Sequence, residues 1–358
     1  MLPPSTDCTV IRFVCQVLTE SFLPLATFNN YLYPFSMDNV LILVGILFIA
    51  SLILVRSASS LVTAISVIGG YFKLSEFTVA FVLMGIVTSL PEIAVAISSA
   101  LSGNPNLALG TAIGSNIANL TLIIGIPTLI AGGLEVRSII ARKDALVMFV
   151  FGITPLLLLL DGGIDTADAF ILLIFYALYL YRLLSQRSYF STMTNHISKK
   201  RAITSLLVFV FNIFIVFCTS YIIVGTSELI AEALFIPIVI VGLVLVSIGT
   251  SLPELAHGLT AVKLNHNGQI LGDILGSVVA NSTLIIAIAA LISPIKIVDP
   301  QTLIIPVGFL VATLLLFLLF VYTDKRLTIK EILLLIGVYV AFVVTQLGFE
   351  IIEKSVGG

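Results

Sequence analysis

Charge is scarce in this chain. Only 10% of its 358 residues are Asp, Glu, Lys or Arg, where a soluble globular domain carries roughly 25%. With 59% hydrophobic residues, a water-soluble fold would leave far too much apolar surface exposed. Cysteine is scarce as well: Cys8, Cys15 and Cys218 form no disulfide framework and read as packing residues. A net charge of −2, with no basic cluster interleaved with aromatics, gives no sign of a nucleic-acid partner. No Ser/His/Asp or His-x-x-x-His arrangement is present, which argues against a hydrolase. The chain reads as a non-enzyme without a cofactor.

Long apolar runs are what the sequence has in abundance. They lie near 39–63, 77–101, 107–131, 144–160, 167–184, 202–225, 236–262, 270–293, 302–322 and 330–348. About 20 apolar residues cross a bilayer as a helix. These runs are apolar all round, whereas spanning β-strands would alternate polar and apolar positions. The expected fold is an all-α polytopic membrane protein with ten transmembrane helices. Residues 1–38 form an N-terminal extension, read as interfacial because 9–25 is too mixed for a span and lacks the basic start of a signal peptide. A first five-helix repeat is expected over 39–184, a linker over 185–201 and a second five-helix repeat over 202–358.

Lys and Arg gather in cytoplasmic loops. The loops after spans 1, 3, 5, 7 and 9 hold 13 of them, while the opposite side has Lys296, Lys354 and, in the extension, Arg12. Both termini are therefore expected outside the cytoplasm, with the 185–201 linker inside it. The expected location is the cell (inner) membrane. Oligomeric state is not legible.

The spans contain a repeat. Residues 85–126 align with 247–288 at a constant offset of 162, with 18 of 42 positions identical. Chance in sequence of this composition would give about one match in ten. VTSLPE (87–92) returns as GTSLPE (249–254), and GTAIGSNIAN (110–119) as GDILGSVVAN (272–281). Five spans per half is an odd number, so the second half enters the membrane inverted. Inverted repeats interrupted by Gly and Pro mark secondary transporters, whose site lies at the repeat interface near the midplane.

The duplicated residues are hard oxygen donors. Thr88 and Ser89 precede Glu92 by four and three residues, as Thr250 and Ser251 precede Glu254, so each trio is expected on one helical face. Ser115 and Asn119 are four apart on the next span, and so are Ser277 and Asn281. Pro91 and Pro253 each remove an N–H and release carbonyls from the helix ladder. In hydrocarbon those carbonyls need a partner, and a cation is one. Ca²⁺ takes six to eight oxygens in flexible geometry, whereas Zn²⁺ prefers nitrogen or sulfur. Two carboxylates match the charge of one Ca²⁺, and the hydroxyls and amides suit Na⁺. Intramembrane carboxylates are functional by default. Gly110, Gly114, Gly272 and Gly276 follow small-xxx-small spacing and are expected to allow close helix contact. Asp273, opposite Thr111, reads as a helix-end carboxylate near an N-terminus, and His257 as a packing residue.

On these motifs the chain resembles the cation/Ca²⁺ antiporter superfamily, most closely its microbial Na⁺/Ca²⁺ exchanger branch. The resemblance implies a ten-helix inverted repeat that exchanges Na⁺ for Ca²⁺ by alternating access, with spans 1 and 6 sliding across the rest. It implies that Glu92 and Glu254 bind Ca²⁺ with the Thr88 and Thr250 carbonyls. It further implies that Ser89, Ser115, Ser251 and Ser277 join the glutamates around Na⁺, and that Asn119 and Asn281 line the central position. Val87 and Val278 depart from the usual glycine and asparagine. Asn281 stands where some relatives have Asp, so a third central carboxylate is absent there and K⁺ co-transport is not expected.

Two other readings remain open at this stage. One is a Ca²⁺/H⁺ exchanger on the same fold, since two close carboxylates titrate as a pair. The other is a passive cation channel whose repeats line a selectivity site. Serine and asparagine in the site favour Na⁺ over H⁺, and inverted symmetry favours a carrier over a channel.

Overall fold

Backbone groups in hydrocarbon must bond within their own segment, so an apolar chain of this kind folds into helices. The computed structural model describes residues 37–72, 89–135, 139–185, 198–263, 267–297, 299–323 and 326–357. Ile42–Gly358 form one unit; of the other, Met1–Leu41, only residues 37–41 are described. Nearly all of the 1–38 extension, Cys8 and Cys15, Thr88, the first half of the 77–101 span and most of the 185–201 linker lie outside the described residues.

The helices are α1 (Met37–Tyr71), α2 (Leu90–Leu101), α3 (Pro105–Ala118), α4 (Ile124–Ile130), α5 (Ile139–Leu158), α6 (Thr166–Ser185) and α7 (Lys199–Leu234). They continue with α8 (Ile238–Val241), α9 (Ser247–Thr250), α10 (Leu252–Lys263), α11 (Asn267–Ala280), α12 (Ile286–Ile292), α13 (Gln301–Thr323) and α14 (Ile329–Gly357). Among the described residues three π-helical turns splice neighbours into longer runs: Asn119–Ile123 between α3 and α4, Gly242–Val246 between α8 and α9, and Asn281–Ile285 between α11 and α12. Among the described residues, eight helical runs are long and apolar enough to cross a membrane. The other two expected spans fall on α6 and on α2, whose N-terminal side is outside the described residues.

Three runs form the centre. Pro105–Ile130 is 94% buried over its most apolar window, against 28% for the windows of α1, α7 and α14. The outer helices present Leu207, Phe211 and Phe214 outwards, as lipid-facing helices do. Glycine sets the central spacing. A Cβ on Gly114 would run into the Leu243 backbone, and one on Gly110 into that of Val239. From the other side, Gly242 meets Leu107. This is the close contact that small residues permit. Gly272 and Gly276 show no such backbone approach among the described residues.

Local signals explain the turns around the centre. Gly103, at φ +82°, lets the chain reverse between α2 and α3. Pro105 then opens α3, at the position where a missing N–H costs nothing. Two antiparallel ladders of two residues each complete the fold. β1 (Leu134–Glu135) pairs with β4 (Arg326–Leu327), and β2 (Gly163–Ile164) pairs with β3 (Ile295–Lys296). Arg326 also donates to the Gly132 carbonyl at 2.7 Å.

Candidate functional site

The two Ser-Leu-Pro-Glu motifs fold alike. Ser89 and Ser251 share one backbone conformation, φ −85° and ψ 2°, off the regular helical values. The helix restarts at the next residue, with proline in its first turn, where proline is tolerated. Thr250 ends α9 while Glu254 lies in α10, and Ser251 is the hinge between them. Pro253 lacks the N–H that would bond Gly249, four residues back. The ladder resumes around it, Ser251 N to Ser247 O at 3.2 Å and Leu255 N to Ser251 O at 3.3 Å. Each glutamate thus sits in the first turn of a helix, where the backbone dipole favours negative charge.

Every expected site residue within the described set is buried. Ser89, Glu92, Ser115, Asn119, Thr250, Ser251, Glu254, Ser277 and Asn281 are all at most 1% exposed. Thr88 alone of the ten lies outside the described residues. Contacts draw the two motif sets together. Ser115 Oγ lies 3.4 Å from Thr250 Oγ1 and 3.4 Å from the Ser247 carbonyl, across the line between the halves. Ser277 Oγ donates to Glu254 Oε1 at 3.3 Å.

Most of the polar atoms gathered here have no protein partner. Both carboxylate oxygens of Glu92, Oε2 of Glu254, the hydroxyls of Ser89 and Ser251, and both amide ends of Asn119 and Asn281 are buried without a hydrogen bond. Buried polar groups are ordinarily satisfied, and each exception asks for an explanation. Asn119 and Asn281 each open a π-helical turn, a distortion frequent at functional sites. Thr121 and Thr283, by contrast, satisfy themselves on the carbonyls of Ile117 and Val279, so they brace the π turns rather than offer donors. The arrangement can surround a hard, partly dehydrated cation with carboxylate, hydroxyl and amide oxygens. Among the described residues no group of three or more His, Cys, Asp or Glu could hold a metal ion.

Sequence reasoning passed over three participants. Asn116 donates to Ser282 Oγ at 2.7 Å, and Ser247 contributes its carbonyl to Ser115. Asn116 and Ser282 are not duplicated, so the repeat gave no signal for them. Asp273 is a correction. It stands inside α11 rather than at its end, wholly buried, with Oδ2 3.1 Å from His257 Nδ1.

A family model described as sodium/calcium exchanger protein matches residues 42–185 and 204–348. The inner membrane protein YrbG of Escherichia coli is 28% identical over 273 residues, spanning 73% of this chain and 83% of that protein. The sodium/calcium exchanger MaX1 of Methanosarcina acetivorans is 26% identical over 349 residues, 85% of this chain and 97% of its own. A solved structure of the sodium-calcium exchanger NCX_Mj, soaked with Na⁺ and Ca²⁺, superposes with a TM-score of 0.61. It is 28% identical and covers 83% of this chain and 96% of that one.

Proposed function

The chain belongs to the sodium/calcium exchanger protein family, matched over both of its halves, and we propose from that premise that it is an antiporter exchanging Na⁺ for Ca²⁺. One observation carries the reading: carboxylate, hydroxyl and amide oxygens from both copies of the motif are buried together, and most lack a protein partner. Glu92 and Glu254 hold Ca²⁺ with the Thr88 and Thr250 carbonyls. Ser89, Ser115, Ser251 and Ser277 hold Na⁺ beside the glutamates, with Asn119 and Asn281 at the centre. The ions share the carboxylates, so loading with one expels the other.

The proposed architecture is ten helices in two inverted repeats, 39–184 and 202–358, with both termini outside the cytoplasm and the 185–201 linker inside it. Three features support it. The π turns at Asn119 and Asn281 are 162 residues apart, the offset of the sequence repeat. The hinges at Ser89 and Ser251 have one conformation. Each β ladder takes one strand from each half. Such a carrier alternates access around a fixed midplane site.

Proton coupling is the second reading, favoured by one contact: His257, able to change charge near neutral pH, touches Asp273. The deciding experiment is ⁴⁵Ca²⁺ uptake into reconstituted vesicles, with an internal Na⁺ load, a matched K⁺ load and an imposed pH gradient as separate arms. Uptake only against internal Na⁺ establishes the exchanger. Uptake driven by the pH gradient alone makes the protein a Ca²⁺/H⁺ exchanger, and uptake without any gradient makes it a channel.

A further inference from the structure

Two polar residues stand on one face of α11, and a third continues their line into the π turn that follows. Asp273, Ser277 and Asn281 are spaced by four, which stacks them along the helix. Ser277 and Asn281 belong to the proposed ion site, and Asp273 extends their line by one turn. Its carboxylate is 0% exposed. His257 Nδ1 engages Oδ2, but Oδ1 is buried with no hydrogen-bond partner.

A purely structural ion pair with His257 explains only one oxygen. It also leaves a wholly buried carboxylate resting on a histidine whose side chain is 30% exposed. A free oxygen on a buried carboxylate is costly unless a cation or donor meets it. Asp273 lies four residues, about one helical turn, before Ser277, and Ser277 is the residue that bonds Glu254, so the free oxygen serves a position beside the central pair rather than within it.

Resting on the exchanger reading above, we infer that Asp273 is a staging ligand: a cation-binding position beside the central pair, where Ca²⁺ halts on its way to or from Glu254. His257 is a positioning residue that fixes Oδ2 and leaves Oδ1 turned to the ion. The matching place in the first half is Thr111, whose hydroxyl donates to the Leu107 carbonyl at 2.8 Å and so has no need of an ion. The staging position exists on one approach to the centre and not on the other. In the orientation proposed above, that approach is the cytoplasmic one, since α11 begins next to the loop after Lys263.

The test exploits that one-sidedness. Asp273→Thr copies the residue that the first half already accommodates, and Asp273→Asn carries the same test should the threonine variant fail to elute as a monodisperse peak. Ca²⁺ concentration dependence of exchange is measured separately at each face of oriented vesicles. Removing one attracting charge should raise the half-saturating Ca²⁺ concentration about tenfold at one face, and by less than about twofold at the other. Half-saturation unchanged at both faces, or raised equally at both, overturns the inference. If the wild type shows no Na⁺-driven uptake, the exchanger reading fails instead. Equilibrium ⁴⁵Ca²⁺ binding to the detergent-solubilised protein then decides for Asp273: weaker binding in the variant supports it, and unchanged binding overturns it.

Discussion

Asn116 donates a 2.7 Å hydrogen bond to Ser282 Oγ, between two buried side chains 166 positions apart in the chain. At the repeat offset their counterparts are Val278 and Leu120, both buried, so the mate of this polar pair is apolar and can make no such bond. Asn116→Val alone leaves the Ser282 hydroxyl buried and unpaired, which should cost about 1–3 kcal/mol. The double variant Asn116→Val/Ser282→Leu copies the mate and should recover most of that loss. Thermal unfolding of the three proteins in one detergent checks it, the double variant falling closer to wild type than the single.

Glu92 and Glu254 supply the negative charge that Ca²⁺ requires at the proposed site. Glu92→Gln and Glu254→Gln each keep the shape and remove one charge. Each should lower Na⁺-driven ⁴⁵Ca²⁺ uptake by about a hundredfold or more, since an uncompensated buried charge is worth roughly 3–5 kcal/mol. Retained uptake in either variant would count against a shared central pair.

Gly114 faces the Leu243 backbone with no room for a methyl group. Gly114→Ala must push α3 and the π turn at Gly242–Val246 apart, and should destabilise by about 1–3 kcal/mol. Gly45→Ala is the control, because nothing lies within 4 Å of its added methyl. It should be neutral or slightly stabilising. Melting temperatures of the two variants, measured side by side, decide this.

Glu228 Oε1 accepts a 2.7 Å hydrogen bond from Asn104 Nδ2, tying α7 to the turn between α2 and α3. Ser98 and Ser220 add a second tie at 2.9 Å, between α2 and α7. If α7 slides during exchange, both ties must open in each cycle. Asn104→Ala should then change the turnover rate by about threefold to tenfold, the weight of a bond worth roughly 0.5–1.5 kcal/mol, while half-saturating Ca²⁺ stays within about twofold of wild type. A shift in half-saturation with turnover unchanged would show that α7 does not move past this turn.

Carboxylates and prolines inside apolar runs stand out against so uniform a background, which is why the two motifs were legible in the sequence, as was their membership of one family. The backbone at Ser89 and Ser251 was not legible. Helical spacing treats Thr250, Ser251 and Glu254 as one regular helix, whereas Ser251 departs from helical ψ while its hydrogen bonds to Ser247 and Leu255 persist. Asp273 misled for a related reason: polarity near the end of an apolar run looks like a helix end, yet α11 reaches back to Asn267. The length of α7 was missed too. Glu228 and Glu232 stop an apolar window near 225, but the helix continues to Leu234 because Glu228 finds Asn104. Strands of two residues leave no periodicity to read.

Those strands bear on how the chain is made. β1 lies in the first half and finds its partner β4 almost at the far end of the chain; β3, early in the last stretch, reaches back to β2. In a nascent first half β1 and β2 therefore lack the partners that they have in the folded chain. Both gain them only from the second half, β2 first and β1 last. The pairing of Glu135 with Arg326 is thus the later of the two that synthesis makes possible, and a product truncated before Arg326 could not form it.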